Sequence, residues 1–518
     1  MKKKNNKIKD HRIKDLLLNQ KGMALLTTLI FVFILITFGV SLLIMTSNDT
    51  KLSTLQRDST KAFYIAEAGV ERTLYNLKKD FESSEDWSDG DINGYTLSDQ
   101  ENEFWKINYN SPGYEVSFGD GTYTVSLKIN DSNNVTIKSK GKYNNSIRYV
   151  QVDAKIEIFS IWDNAICGGS GMTGAIINGN AEFRGSLHLL GKEGNDIAIE
   201  LIGIAGVGNN YKGMETELLS RVPPLPKTIF NGEEVEFLNA KLRVKHGKVK
   251  LSGAAYIGKP DVPGGDPLIK ETLQGVYVTD GFVGGTLGDN IHSDNGMENG
   301  YDLGRVDIVF PSLNDTYTDP ETNTEYAMYL DYLKDTGLKI NESEISANTA
   351  SFGPVTDGSN SIEWDQASGT LTIEGIIWVD NADGLVIGKS KGKIIFDGKG
   401  TLVSANSTAD ISIHADLLSN EKFPTDDSLG IISARDINVA EPGDANLNIM
   451  GAFYAENKIT MGKQTDLVGT FVSNYIDMGN QVPSIYQVPE LINNIPPGMP
   501  GATITYSLYT NNWHEVHE

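Results

Sequence analysis

Residues 22–45 read GMALLTTLIFVFILITFGVSLLIM, and residues 61–77 read KAFYIAEAGVERTLYNL. The first stretch holds 24 residues without a charge, rich in Leu, Ile, Phe and Val. As a helix rising 1.5 Å per residue it is about 36 Å long, enough to span a bilayer core of about 30 Å. Beyond it the apolar positions are Leu52, Leu55, Ala62, Phe63, Ala66, Val70, Leu74 and Leu77. Steps of three, four and seven place them on one helical stripe. No proline interrupts residues 22–80. The spacing predicts one helix over 23–80, about 87 Å long. Its first half is apolar all round. Its second half is amphipathic and needs a partner for its stripe.

The flanks orient this helix. Residues 1–21 carry eight Lys or Arg against Asp10 and Asp15, while the whole 518-residue chain has a formal net charge of −24. The basic leader therefore stays in the cytoplasm and the acidic bulk lies outside the membrane. The acidic balance argues against nucleic acid as a main partner, because phosphate binding needs a clustered positive field. With Cys167 the one cysteine, no internal disulfide and no cysteine-built metal centre can form.

Between about 94 and 159 the pattern changes to period two. Val150, Val152, Ala154, Ile156 and Ile158 alternate with Gln151, Asp153, Lys155 and Glu157, which predicts a half-buried strand. Asn144-Asn145 separates it from Val135–Ser139 as in a hairpin, and Tyr123–Ile129 is a third strand. A small antiparallel sheet over 94–159 is expected to cover the helix stripe.

From residue 160 to 518 the chain is glycine-rich: only nine of its 53 glycines lie before residue 160. Short apolar pieces recur about every 8–12 residues with turn signals between them, among them Gly275–Val278, Leu371–Val379, Leu385–Ile387, Thr401–Ser404 and Ile431–Ser433. A sandwich, a barrel and a β-solenoid share that signature. Strands this short, punctuated by Gly375, Gly384, Gly392 and Gly400, suit stacked rungs, so an irregular, parallel β-helix-like solenoid is the expected fold. Residues 222–360, with Pro223-Pro224 and Pro263, read as an insertion, and Glu325–Thr336 as a short helix. Residues 483–518, with five of the 17 prolines, read as a closing strap. The fold class is therefore mainly β behind one long N-terminal helix.

Candidate chemistry is sparse. Asp89, Asp91, Asn93 and Tyr95 alternate around Gly94 as in the first half of a calcium loop, although position twelve is Gln100 rather than Glu. A solvated acidic turn has the same composition. Asp380 and Asp383 form a carboxylate pair at a strand end, as glycoside hydrolysis requires, yet a plain Asp/Asn turn reads equally from those residues. Gly384–Ser390 misses a phosphate-binding loop by one residue, with an apolar middle that reads as a strand. His514 and His517 lack the i, i+4 spacing of a zinc helix and sit at an end expected to be disordered. Cys167 is expected to be a small buried residue. None of these amounts to a catalytic set, and no cofactor is expected beyond calcium at the acidic turn.

A basic leader ending Lys21-Gly22, then Met23-Ala24-Leu25-Leu26, an uninterrupted apolar stretch and Ala62-Phe63-Tyr64-Ile65-Ala66-Glu67-Ala68-Gly69-Val70-Glu71 together resemble the PilX-type N-terminal region of type IV pilus proteins. The signature positions are Ala62, Phe63, Ala66, Glu67, Ala68 and Gly69. The resemblance implies that prepilin peptidase cuts after Gly22 and that the new amino group on Met23 is N-methylated. It implies a membrane helix that later bundles with other pilins, and partners drawn from the pilus assembly machinery. A small sheet on the helix is also how pilin heads are built. Major pilins carry Glu as the fifth residue after the cut, where this chain has Thr27. That departure fits a minor, tip-located or assembly-priming subunit. The resulting expectation is a structural, non-enzymatic minor pilin at the cell surface. The alternatives are a membrane-anchored adhesin that keeps residues 1–22, and a carbohydrate-binding or carbohydrate-active β-helix protein on an anchor. In each case a surface glycan or a cation is a candidate ligand.

Overall fold

The helical periodicity is realised without a break. In the computed structural model, α1 (Gln20–Ser84) is one helix of 65 residues. The structure describes residues 20–84, 87, 91–131, 134–194, 196–261, 269–297, 300–303, 308–478, 482–502 and 505–516. Most of the basic leader (1–19), Asp89, Pro263 and His517 lie outside the described residues. The chain forms two compact units, Met1–Glu157 with Leu508–Glu518, and Ile158–Ser507.

In the first unit the period-two sequences form an eight-stranded sheet. Its strands are β1 (Asp91–Ile92), β2 (Tyr95–Glu101), β3 (Phe104–Ile107), β4 (Val116–Phe118), β5 (Gly121–Asp131), β6 (Asn134–Tyr143), β7 (Ser146–Phe159) and a C-terminal strand, Thr505–Val516. The order is β1-β2-β3-β5-β6-β7-C-terminal strand, with β4 beside β5. The ladders from β1 to β7 are antiparallel. Asn144-Asn145 makes the expected two-residue turn, closing on the pair Tyr143↔Ser146 with Asn144 at φ 51°. The last strand was not expected. Residues 483–518 read as a strap, yet the chain leaves this unit after β7 and comes back some 350 residues later to complete the sheet.

The sheet covers only the second half of α1. Ala62, Ile65, Ala66, Val70, Leu74, Leu77 and Phe81 are buried, each large apolar side chain contributing about 1.5–3 kcal/mol. Two members of the predicted stripe behave otherwise: Leu52 and Leu55 are 55% and 60% exposed. Their spacing fits the stripe, but they lie before the sheet begins. The indole of Trp87 donates to the Leu77 carbonyl at 2.9 Å and packs edge-on against Phe81, closing the helix end.

The second unit is a solenoid of parallel strands. One column of core side chains runs Leu338–Ile377–Leu402–Ile431–Phe453–Phe471–Ile166–Leu187–Leu242–Val276, each paired in register with the next. A second runs Ile394–Leu417–Ile449–Leu467–Ile485–Phe183–Val207–Ile257. A third face has Leu385–Ile411–Ile437–Ile459–Ile476 and, in the earlier rungs, Ala175–Ile199–Val249–Phe282. The rung order is not the chain order. The first run of rungs climbs from Ile166 to Val276, and the second starts at the opposite end of the stack, at Leu338, and runs in to meet it. Ile166 lies between Phe471 and Leu187, and Ile485 lies between Leu467 and Phe183, so the entering and the leaving strand share one rung.

Parts of the expected insertion and strap belong to this stack. Within 222–360, Lys241–Val244, Lys248–Gly253, Gly275–Val278 and Leu338–Ile340 are rung strands, and the short helix spans Tyr329–Thr336. Within 483–518, Ser484–Tyr486 is a rung strand. These pieces are too short for a periodic signal and become strands because neighbouring rungs supply their ladder. Ser428–Ser433 is buried at all six positions because a second layer lies over it. The Ser428 hydroxyl donates to the Asn494 carbonyl at 3.0 Å, and Pro496 and Met499 approach Gly430. A second overlying segment is held where the Tyr454 hydroxyl donates to the Pro311 carbonyl at 2.6 Å and Glu456 accepts from Ser312 and Leu313.

Candidate functional site

The long helix has two halves built for different surroundings. Every residue from Met23 to Arg57 is exposed, including an apolar surface that faces all directions up to Met45. Its threonine hydroxyls bond to carbonyls of their own helix. Thr27 donates to the Met23 and Ala24 carbonyls at 2.9 and 3.0 Å, and Thr28, Thr37 and Thr46 do the same four residues back at 2.7–2.9 Å. A hydroxyl satisfied within its own helix costs little to place in lipid or among other helices. The half is therefore fitted to an apolar medium. The Gly22–Met23 peptide lies in the first turn of α1.

The second half meets the sheet along a seam of small residues, and the signature residues form it. A Cβ on Gly141 of β6 would overlap the Ala62 carbonyl and stand 2.5 Å from the Ala66 amide nitrogen. A Cβ on Gly69 would overlap Ser139 and stand 2.9 Å from the Tyr123 ring. Ala62, Ala66 and Gly69 are thus where the helix backbone rests on the sheet. Phe63, Glu67 and Ala68 are half-buried beside the seam. Thr73, one turn on, joins the Gly69 carbonyl at 2.7 Å to the Tyr109 hydroxyl at 2.8 Å. Arg72 lies over the Tyr109 ring at 4.3 Å and donates to the Tyr123 hydroxyl at 3.1 Å.

Where the helix leaves the sheet it is clamped. Arg148 of β7 donates to the Ser59 hydroxyl at 2.7 and 2.5 Å and to Glu515 of the C-terminal strand at 2.9 Å. Asn144 donates to Asp58 at 3.0 Å. Gly141, Asn144, Arg148 and Glu515 were missed as functional candidates. Only Gly141 left a sequence signal, as a lone glycine inside a strand pattern, which marks close backbone approach.

The other candidates fall elsewhere. Asp91, Asn93 and Tyr95 form the β1–β2 hairpin, with Asn93-Gly94 as its turn and Asn93 at φ 52°. The Gly94 amide donates to Asp91 at 3.0 Å, the Asn93 amide to Asp80 of α1 at 2.6 Å, and the Asn93 side chain to Asn76 at 3.2 Å. Asp380 and Asp383 are exposed in the turn between Thr370–Val379 and Leu385–Asp397, where the Asp383 amide donates to Asn381 at 2.8 Å. Gly384 sits in that turn, and the stretch from Leu385 to Ser390 is strand. Cys167 is buried in the rung between Val472 and His188, and burial pushes its thiol up to about 12. His514, expected in a disordered tail, lies in the C-terminal strand, where sheet pairing orders it. Among the described residues, no three His, Cys, Asp or Glu side chains gather as a metal site would need.

With this geometry in place, comparison with known proteins gives two results. Residues 21–71 match the PilX N-terminal family, a stretch that covers the apolar half of α1 and the small-residue seam. The fold matches the crystal structure of the competence-associated pilin ComZ from Thermus thermophilus, with a TM-score of 0.50 and 18% identity over 89% of this chain and 98% of that one. No curated protein matches the chain. The apolar helix seated on a small sheet by Ala62, Ala66 and Gly69 is thus the part of this chain that is similar to the N-terminal region of type IV pilus proteins of the PilX kind, over residues 21–71.

Proposed function

We propose that the chain is a structural, non-enzymatic minor pilin or pilus assembly subunit of a type IV pilus-like surface system. Prepilin peptidase removes residues 1–22, Met23 is N-methylated, and the apolar half of α1 passes from the membrane into a bundle with other pilin helices. The basic leader faces the cytoplasm and both β-rich units lie outside. The observation that carries this reading is the division of one helix into a wholly exposed apolar half and a half seated on a sheet. A simple anchor needs only the first half. Thr27 supports a minor rather than a bulk role. Its side chain is a hydroxyl bonded to its own helix and carries no carboxylate to neutralise a neighbour's buried ammonium. The solenoid of some 350 residues is bulky for a shaft subunit and suits a filament tip.

The test is the amino-terminal sequence and mass of the protein recovered from its native membrane. A start at methylated Met23 is the expected result. An intact start at or near Met1 would overturn the pilin role and leave a membrane-anchored adhesin.

A further inference from the structure

The face of the small sheet turned away from α1 holds a groove of about 410 Å³, within the range of small-ligand sites, about 300–1,000 Å³. Strand alternation assigns the faces. Val135, Ile137, Ser139 and Gly141 of β6 look toward the helix, so Lys138 and Lys140 look outward. Register then fixes their neighbours: Lys140 lies between Thr124 and Tyr149, and Lys138 between Ser126 and Gln151.

Two features ask for an anion. The ammonium groups of Lys138 and Lys140 both sit over the Tyr149 ring, 5.3 and 5.6 Å from its centroid. Like charges gathered on one ring repel each other, and an anion between them relieves that cost. Lys106, also in the groove, is neutralised by Glu101 at 3.4 Å. Among the described residues Lys138 and Lys140 have no carboxylate partner. In a chain of net charge −24 such a pair is out of character.

The remaining lining narrows the class. Glu101 and Glu115, both exposed, and the half-buried Thr124, Ser126 and Phe104 also line the groove. With Glu101 paired to Lys106 and Glu115 beside the two lysines, the lining suits one singly charged group flanked by hydroxyls better than a dense run of phosphate charge. The Thr124 and Ser126 hydroxyls donate and accept, and an aromatic ring such as Phe104 suits the C–H face of a sugar. We propose that this groove binds a carboxylated sugar residue of an acidic surface polysaccharide, with Lys138 and Lys140 on the carboxylate and the polar lining on the sugar hydroxyls. The site lies on the sheet alone and does not rest on the filament role.

Calorimetric titration of the full-length protein in detergent micelles tests it, with trigalacturonic acid, neutral maltotriose and inorganic tripolyphosphate as probes. Trigalacturonic acid should bind saturably and maltotriose at least about tenfold more weakly. The Lys138→Gln/Lys140→Gln double variant, with an unchanged melting temperature, should lose about ten- to a hundredfold in affinity for trigalacturonic acid, the size expected for charge-assisted hydrogen bonds. Three results would overturn the proposal: no saturable heat up to about 10 mM trigalacturonic acid, equal binding by the double variant, or lysine-dependent binding of tripolyphosphate tighter than that of the sugar acid.

Discussion

Replacing Gly141 by Ala will lift α1 from its sheet. The new methyl group would overlap the Ala62 carbonyl and stand 2.5 Å from the Ala66 amide nitrogen, both backbone atoms of a helix that cannot yield locally. A carbon needs about 3.3 Å from a polar backbone atom, so the helix and β6 must part by about 1 Å. A gap of that size forfeits up to about half of the dispersion energy across the contact. The contact includes Ile65, Val70 and Leu74, all buried on the sheet. Overpacking alone costs about 1–3 kcal/mol, and the loosened seam raises the expected loss to about 2–4 kcal/mol. Amide exchange of β5, β6 and β7 in the full-length protein, read by mass spectrometry as an opening free energy, measures it. Gly39→Ala is the control, because nothing lies within 4 Å of its Cβ, and it should leave exchange in the sheet unchanged. A loss below about 0.5 kcal/mol for Gly141→Ala would refute close approach at this position as the reason for glycine there.

At the junction of the two solenoid runs, Phe471 stacks on Phe453 with centroids 4.6 Å apart and planes 5° from parallel. Phe471→Ala should destabilise the solenoid by about 3–5 kcal/mol, and a urea midpoint shift worth less than half of that would mean the junction is not a shared core. Burial pushes the half-buried Asp163 up to about 6, against the opposing pull of Arg243, Lys241 and the Gln487 hydrogen bond. Its folded state therefore holds a proton the unfolded chain releases near pH 4. Stability should fall as pH rises from about 4 to about 6 and stay level above, by about 1–3 kcal/mol once partial solvent contact is discounted. Asp163→Asn keeps the acceptor for Gln487 and should flatten that slope; melting curves with the same slope in both proteins would contradict it. Removing Arg148 with Arg148→Ala should free Ser59 and Glu515 together, so that exchange rises in the C-terminal strand as well as in β7; a rise in β7 alone would show that the strand is held without the clamp. Because Asn93 is bonded to Asp80 and Asn76 of α1 and Asp91 accepts from the Gly94 amide, millimolar calcium should shift the melting temperature little, whereas a saturable rise lost in Asp91→Asn would establish a metal site at that turn.

What depends on neighbours along the chain is legible in the amino-acid order. An uncharged run of 24 residues and an unbroken 3.6-residue period make α1 a helix whatever surrounds it. Strict alternation makes β5, β6 and β7 strands, and Asn144-Asn145 turns one into the next. Even the small residues of the seam were visible as Ala62, Ala66 and Gly69, though not what they press against. Tertiary structure decided what depends on partners far along the chain. Phe471 meets Ile166 across some 300 residues, Leu338 begins a run that descends toward the first rung, and the C-terminal strand completes a sheet begun at Asp91. A parallel rung takes its hydrogen bonds from the rungs above and below, so a three-residue strand such as Ile166–Gly168 has no local signal strong enough to announce it, and no periodicity says which rung lies next to it. The groove at Lys138 and Lys140 was hidden for the same reason. Two lysines in an ordinary alternating strand become a site only when cross-strand register brings Tyr149, Thr124 and Ser126 beside them.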